Sequence, residues 1–279
     1  MNSVFVFKNI KVRKAPFFSL MRLENIFVNR SFPSLMEVGS KQVKIFVLSH
    51  KIQPLPMCFD HPKIYVPMLC GGTPIESLVC DSTGDNISSY NKYINEMTAI
   101  YWLGKHYDEI GNPDYIGINH YRRHLDWTAR KLKPSVLFAN AYIGLRTNGD
   151  FLSMCHGGRW LELFISRFGS GPRGEFGDIE KYLNHSRLLY MCNMFLTDRN
   201  TFRRYFSFIE YCINIAVSII DENKMEFDKM LPYDRRAFSF ILERMTSFWI
   251  WHEKRSGRIN VVLSQLQEYK IQKVENSIR

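Results

Sequence analysis

Apolar positions recur along this chain in two periods. Val43–Leu48 is a short β-branched run, VKIFVL, that ends at Ser49-His50, the pattern of a buried strand, first in a sheet. Ile64–Leu69 is a second extended run. Pro67 inside it has no N–H for a ladder, which predicts an edge or broken strand. After the polar stretch Asp81–Ser88, residues Ile87, Tyr90, Ile94, Met97 and Tyr101 recur at three- and four-residue steps. That predicts one helix, capped by Asp85 or Asn86 and ending near Gly104–Tyr107. Gly111-Asn112-Pro113 marks a turn, and Tyr115–Ile118 reads as a core strand that runs into His120-Tyr121-Arg122-Arg123. The stretch 127–187 is less regular, with a helix over Trp160–Phe168 and loops at Gly157-Gly158 and Gly169–Gly177. Cys192–Thr197 reads as a third core strand. A long helix capped by Asn200 or Thr201 follows, turning Phe202, Phe206, Ile209, Ile213 and Ala216 inward. A last helix starts at Asp234 with Phe238, Leu242, Met245 and Trp249 on one face, and Val261–Leu263 reads as a final strand.

Strands alternating with helices predict an α/β fold with a mostly parallel central sheet flanked by helices. Ligands of such sheets bind beyond the carboxyl ends of the strands. Three strand ends carry polar chemistry here: Ser49-His50, His120–Arg123 and Thr197-Asp198. They are expected to converge on one cleft.

Composition narrows the class. The 279 residues are 46% hydrophobic and 14% aromatic, which excludes a disordered, collagen-like or coiled-coil chain. The longest apolar stretch, around Tyr211–Ile220, is too short to span a bilayer. Net charge is +10, and half of it lies in residues 1–41, where seven bases meet two acids. That segment reads as a basic extension: disordered, an arm for a membrane surface, or sequence upstream of a start near Met36. Residues 42–279 read as a single domain. A basic chain favours anionic partners. The six cysteines form no Cys-x-x-Cys pair, and several sit in apolar runs, so they read as reduced, buried thiols.

Three groups of residues can carry chemistry. Arg122 and Arg123 directly follow a core strand, and their planar forks match phosphate oxygens. The plain alternative sends one of them to solvent. Asp81, Asp85 and Asn86 lie at a helix start, where their side chains suit ribose hydroxyls, base edges or a cation, or simply cap the helix. Glu96 and Glu243 are candidate bases, Glu243 ahead of Glu96; the rival reading pairs Glu243 with a neighbouring Arg as a structural ion pair. His124-x-Asp126 offers two metal ligands with no third in sequence, and His156 stands before a loop. No Gly-x-Ser-x-Gly, His-Glu-x-x-His or Gly-x-Gly-x-x-Gly is present, which removes most of the weight from hydrolase and dehydrogenase readings.

A set of motifs in order carries a resemblance. They are Ser49-His50-Lys51; Tyr65-Val66-Pro67; Asp81-x-x-Gly84-Asp85-Asn86-Ile87-Ser88; Asn91; Glu96-x-Thr98-Ala99-x-Tyr101-Trp102; Asp114-Tyr115-Ile116-Gly117; His120-Tyr121-Arg122-Arg123; Asn193-Met194-Phe195; and Arg235 through Glu243-Arg244. From Val43 to Leu263 the chain resembles the bacterial DUF4422 family of capsule and exopolysaccharide biosynthesis, regarded as glycosyltransferases. It departs from the family at Met97, usually Leu, and at His124, often aromatic. The resemblance implies a GT-A-like, Rossmann-like nucleotide-diphospho-sugar transferase acting on a capsular, exopolysaccharide or O-antigen acceptor. It implies a nucleotide-sugar donor, a UDP-sugar first, and a lipid-linked glycan acceptor. The enzyme would be cytoplasmic and peripheral at the inner face of the plasma membrane, helped by the basic extension and Phe248–Trp251, with no nucleic-acid partner. It further implies Glu243, His120 and Glu96 as catalytic residues, with His50, Asp81, Asp85, Asn86, Arg122, Arg123 and Asn193 on the donor. His120–Arg123 stands where many such enzymes place Asp-x-Asp, so a divalent cation, Mg or Mn, stays open as a cofactor. The alternative from another class is a non-catalytic nucleotide- or RNA-binding protein using the same basic cleft.

Overall fold

The computed structural model describes residues 38–268 apart from 53, 54, 56, 57, 59, 60, 75–77, 157 and the side chains of His156 and Glu268. Most of the basic extension, and any role for His156, therefore lie outside the described residues. Among the described residues nine strands form one sheet: β1 (Val43–Ser49), β2 (Tyr65–Leu69), β3 (Val79–Cys80), β4 (Tyr115–His120), β5 (Arg123–Leu125), β6 (Val136–Ile143), β7 (Leu188–Asp198), β8 (Asn260–Leu263) and β9 (Leu266–Glu268). The main path runs β3-β2-β1-β4-β7-β6-β8, with β5 pairing β4 and β9 off its side. Every strand of the main path runs the same way except β7, which is antiparallel to both β4 and β6. The expected α/β fold with a mostly parallel sheet is what forms.

The apolar run of β1, interrupted at Lys44, has a simple cause. Phe46 and Leu48 face a core shared with the helices, while Val43, Ile45 and Val47 face a second, smaller core with Tyr65, Trp127 and Leu132. Pro67 does not make β2 an edge strand. β3 pairs only with Met68 and Leu69, so the missing N–H falls before that pairing begins.

The helices are α1 (Asn91–Ile94), α2 (Met97–Lys105), α3 (Asn148–His156), α4 (Gly158–Phe168), α5 (Ile179–His185), α6 (Arg199–Glu222), α7 (Lys224–Lys229) and α8 (Ala237–Arg255). The buried apolar residues of all eight belong to the larger core, so these eight helices gather on one face of the sheet. α8 lies buried from Ala237 to Ile250. A Cβ at Gly104 would stand 2.0 Å from Phe206 Cδ2, so glycine lets α2 lie directly against α6.

Several expectations change in ways that matter for the site. The single helix expected after Ile87 is broken into a 3₁₀ turn, α1 and α2, because Asn95 adopts φ 51°. The cap of α6 is Asp198, whose Oδ1 accepts from the N–H groups of Asn200 and Thr201, so neither of those two is the cap. Thr197-Asp198 does not join the other strand ends. Because β7 is antiparallel, Asp198 pairs with Tyr115 at the start of β4, and it is Cys192-Asn193 that lies near the end of β4. Phe248, Trp249 and Ile250 are buried in the larger core, so Phe248–Trp251 is not a docking surface. All six cysteines are free thiols. No described helix is long and apolar enough to cross a membrane.

Candidate functional site

The site is built where β1 and β4 end. The N–H of Tyr121 donates to Leu48 O at 3.0 Å, which ties the turn after β4 to the end of β1. The chain then reverses, and His120 pairs with Arg123 as β5 begins. The reversal sends the two adjacent arginines apart. Arg122 is exposed, with its guanidinium 4.9 Å from the Tyr121 ring centre. Arg123 turns inward, its Nη1 3.4 Å from Cys192 Sγ. Tyr121 also packs edge-on to the exposed His50, centroids 5.3 Å apart. Partial burial lowers the His50 pKa, and the nearby charges of Lys51, Arg122 and Arg236 lower it further. The rim of the site is therefore cationic.

The floor comes from the first half of β7. Between the pairs Ala139–Phe195 and Ala141–Tyr190, four residues of β7 stand opposite Asn140 alone. This bulge holds Cys192 at φ 65° and Asn193 at φ 51°. It aims two donors at two carboxylates. The Cys192 N–H donates to Glu243 Oε1 at 2.7 Å, and Asn193 Nδ2 donates to Glu96 Oε1 at 2.9 Å. Glu96 stands just after the break at Asn95, and Glu243 is in the second turn of α8. Burial raises the pKa of both, and the charge of Glu96 pushes Glu243 up further.

The two carboxylates differ in how fully they are used. Glu243 is 7% exposed, and its second oxygen accepts from Arg244 Nη1 at 2.7 Å. Both of its oxygens are engaged, and α8 is buried along that stretch, so Glu243 does not point to an open cleft edge. Glu96 is half-buried, with Asn193 its one side-chain hydrogen-bond partner among the described residues. Beside them, burial and then Arg123 push the His120 pKa down to about 4, against the opposing pull of Glu243. Its imidazole is neutral near pH 7, and its buried Nε2 has no hydrogen-bond partner among the described residues.

The polar stretch Asp81–Ser88 is not assembled with this group. Asp81 is completely buried, accepting from the Gly71 N–H at 2.7 Å and from Thr98 Oγ1 at 2.5 Å, with its pKa raised by burial. It ties the end of β2 to α2. Asp85 is exposed and lies 3.4 Å from Tyr101 Oη and 3.9 Å from Lys105 Nζ, at the far end of α2 from Glu96. Nine helical residues, about 13 Å, separate those ends. Asn86 bonds within its own turn, to Gly84 O and Ser88. His124 Nε2 meets Gln267 Oε1 at 2.8 Å. Of the ten residues singled out from the sequence, seven surround the strand ends: His50, Glu96, His120, Arg122, Arg123, Asn193 and Glu243.

Three participants carried no sequence signal. The Cys192 N–H acts through backbone geometry. Asn95 and Arg236 come from segments far apart in sequence. In the amide orientation that satisfies its neighbours, Asn95 Oδ1 accepts from Arg236 Nε and Nη2, both at 2.9 Å, and from Ser239 Oγ.

These residues do not fit a divalent cation held by protein side chains alone. Among the described residues no three His, Cys, Asp or Glu side chains come together as a metal site. At the strand end itself stand His120 and Arg123, and the two nearby carboxylates are already bonded to Asn193, Cys192 and Arg244.

Residues 44–153 match the model of the DUF4422 family, described as a domain of unknown function. This is the family that the ordered motifs resemble, and the match takes in those up to Arg123. The matched segment runs from β1 into α3 and stops before Asn193, Arg236 and Glu243. No curated protein matches the chain. Among solved structures the chain is similar to one titled "WbbM bifunctional glycosytransferase apo structure", at 21% identity and a TM-score of 0.66. The likeness covers 82% of this chain and 46% of that one, so the chain spans less than half of that protein's length. At this identity the likeness establishes a shared fold.

Proposed function

We propose that this protein is a glycosyltransferase that moves a sugar from a nucleotide-diphosphate donor to a hydroxyl of a glycan acceptor. One observation carries the reading. A cationic rim of Lys51, Arg122 and Arg236 around His50 stands at the carboxyl ends of β1 and β4, next to the buried carboxylates Glu96 and Glu243. Cations suit a leaving diphosphate, and a desolvated carboxylate with a raised pKa suits proton transfer from a hydroxyl near neutral pH. The shared fold with a known glycosyltransferase points the same way. An RNA-binding surface explains the rim but gives the buried carboxylates no task.

The residues divide the work. Arg122 binds the donor diphosphate at the rim, and Arg123 supplies charge nearer the floor, beside His120. Glu96 is the base we favour, because Glu243 has both oxygens occupied and instead secures the bulge of β7. Guanidinium charge does work that a metal does in enzymes with Asp-x-Asp, and any Mg or Mn taking part would arrive on the donor phosphates. The resemblance to DUF4422 supports a lipid-linked surface glycan as acceptor. That acceptor would place the enzyme at the inner face of the plasma membrane.

The test is incubation with a panel of nucleotide sugars, UDP-sugars first, scoring release of nucleoside diphosphate with and without lipid-linked acceptors. Release with one donor, strengthened by acceptor, supports the proposal. A folded protein that releases none and binds no nucleoside diphosphate overturns it.

A further inference from the structure

Among the described residues, Arg236 is a cation of the rim that stands between the two ends of the site. Its charge acts on His50 at the mouth and on Glu96 at the floor. It stands in the 3₁₀ turn Asp234–Arg236 that opens α8, half-buried, with its guanidinium 5.6 Å from the Phe240 ring centre. Two of its nitrogens, Nε and Nη2, are taken by Asn95 Oδ1. That leaves Nη1, and the second hydrogen of Nη2, on the other edge of the fork.

The holder is as informative as the arginine. Asn95 sits at φ 51°, ψ −128°, a conformation costly for any residue with a side chain. The same residue interrupts what the hydrophobic spacing writes as one continuous helix. Asn95 thus breaks the helix where Glu96 must turn toward Asn193, and its amide locks the arginine beside that carboxylate. A neutral amide positions a guanidinium without cancelling its charge. A carboxylate at the same place would do the positioning and cancel the charge.

We propose that Arg236 is a diphosphate-binding residue of this site, held in place by Asn95 so that its charge stays available to an anionic ligand. The inference rests on the nucleotide-diphosphate reading above and adds to it a specific residue and its positioning partner. Arg236 would grip the phosphate nearest the reacting sugar, since it stands next to Glu96, while Arg122 grips from the rim.

The test uses the full chain and measures affinity for UDP, UMP and uridine by calorimetry, or the matching series of whichever nucleoside diphosphate the protein binds. Asn95→Asp is the decisive variant. Aspartate tolerates the backbone conformation and keeps the fork to Arg236, so a purely structural role survives or strengthens, whereas diphosphate binding weakens. We expect Asn95→Asp and Arg236→Gln each to lose about tenfold or more in diphosphate affinity, with nucleoside affinity unchanged. Arg236→Lys, which keeps charge and loses the fork, should fall between. Thermal melting checks that each variant is folded. If the wild type binds the diphosphate and Asn95→Asp binds it equally well, the role of Arg236 is refuted while the glycosyltransferase reading stands. If the wild type binds no nucleoside diphosphate, the functional reading fails and this inference fails with it.

Discussion

Glu96 and Glu243 are both carboxylates next to β7, the first half-buried and the second buried, and their surroundings separate them further. Glu243 accepts from a backbone N–H and from a buried arginine, so an amide in its place turns an N–H₂ toward one of those donors. Disrupting such a buried pair costs about 3–5 kcal/mol. Glu243→Gln should therefore melt well below the wild type. Glu96 accepts only from the Asn193 amide among side chains, and glutamine can present its oxygen there. Glu96→Gln should keep near-normal stability and lose sugar transfer; normal transfer by that variant would remove Glu96 as the base. His120 gives a prediction about pH. Its pKa is about 4 when folded and near 6.5 when unfolded, so as pH falls from 6.5 toward 4 the unfolded chain takes up a proton that the folded one refuses. The folded state then loses stability on acidification. The raised pKa values of Glu96 and Glu243 act in the opposite direction, so the comparison must be between variants. His120→Gln should lose less stability than the wild type between pH 7.5 and 5, by on the order of 1 kcal/mol in urea unfolding. Equal losses would show that His120 is not held neutral.

At the scale of elements, the site depends on two breaks in regular structure. One is Asn95 between α1 and α2, and the other is the bulge at Cys192-Asn193 in β7. Bulges re-aim side chains, and this one turns a backbone N–H to Glu243 and an amide to Glu96. Asn193 is 1% exposed, so its conformation is held by packing on all sides. Both Asn193→Gly and Asn193→Ala should be destabilised by loss of the hydrogen bond to Glu96, but glycine relieves the strain of φ 51° and alanine does not, so the glycine variant should be the more stable by about 1 kcal/mol in urea unfolding. Both variants lose the hydrogen bond to Glu96, so both should transfer sugar poorly. If only the alanine variant is impaired, the bulge matters for its backbone and the amide does not. The helical elements set the stage more simply: α8 is buried almost throughout, and it is the rigid post on which Arg236 and Glu243 stand.

For the whole molecule, the parallel strands bring His50 and His120 to one end of the sheet, and the antiparallel β7 brings Asn193 to the same end from the other direction. With arginines in place of carboxylates at the strand end, chelation should matter less than in enzymes that hold a metal with Asp-x-Asp. Release of nucleoside diphosphate in excess EDTA should stay close to that of untreated protein. Activity abolished by EDTA and restored by Mg or Mn would show that the guanidiniums do not replace the metal's charge.

Much of this arrangement was legible in the chain itself, for identifiable reasons. A strand buried on both faces is apolar at most positions, so β1 and β4 announce themselves despite Lys44 and Asn119, and the polar residues that end them are marked as candidates by position alone. That is how His50, His120, Arg122 and Arg123 could be found. The side-chain pattern of a strand is the same whichever way the strand runs, so nothing in Cys192–Thr197 distinguishes parallel from antiparallel. Only the packed sheet decided that its beginning, and not its end at Asp198, faces the site. β6 was hidden for a related reason: Asn140, opposite the bulge, interrupts its apolar run. Left-handed conformations at Asn95, Cys192 and Asn193 follow from tertiary packing that outweighs local preference, and no periodicity records them. The sequence determined the strands, the helical faces and the polar residues at the strand ends, because those depend on which positions must avoid water. The tertiary structure decided that Glu243 is fully bonded, that Asp81 and Asp85 are taken up by contacts of their own, and that Arg236 joins the rim, because those depend on which side chains the packed fold brings within bonding distance and not on which positions must avoid water.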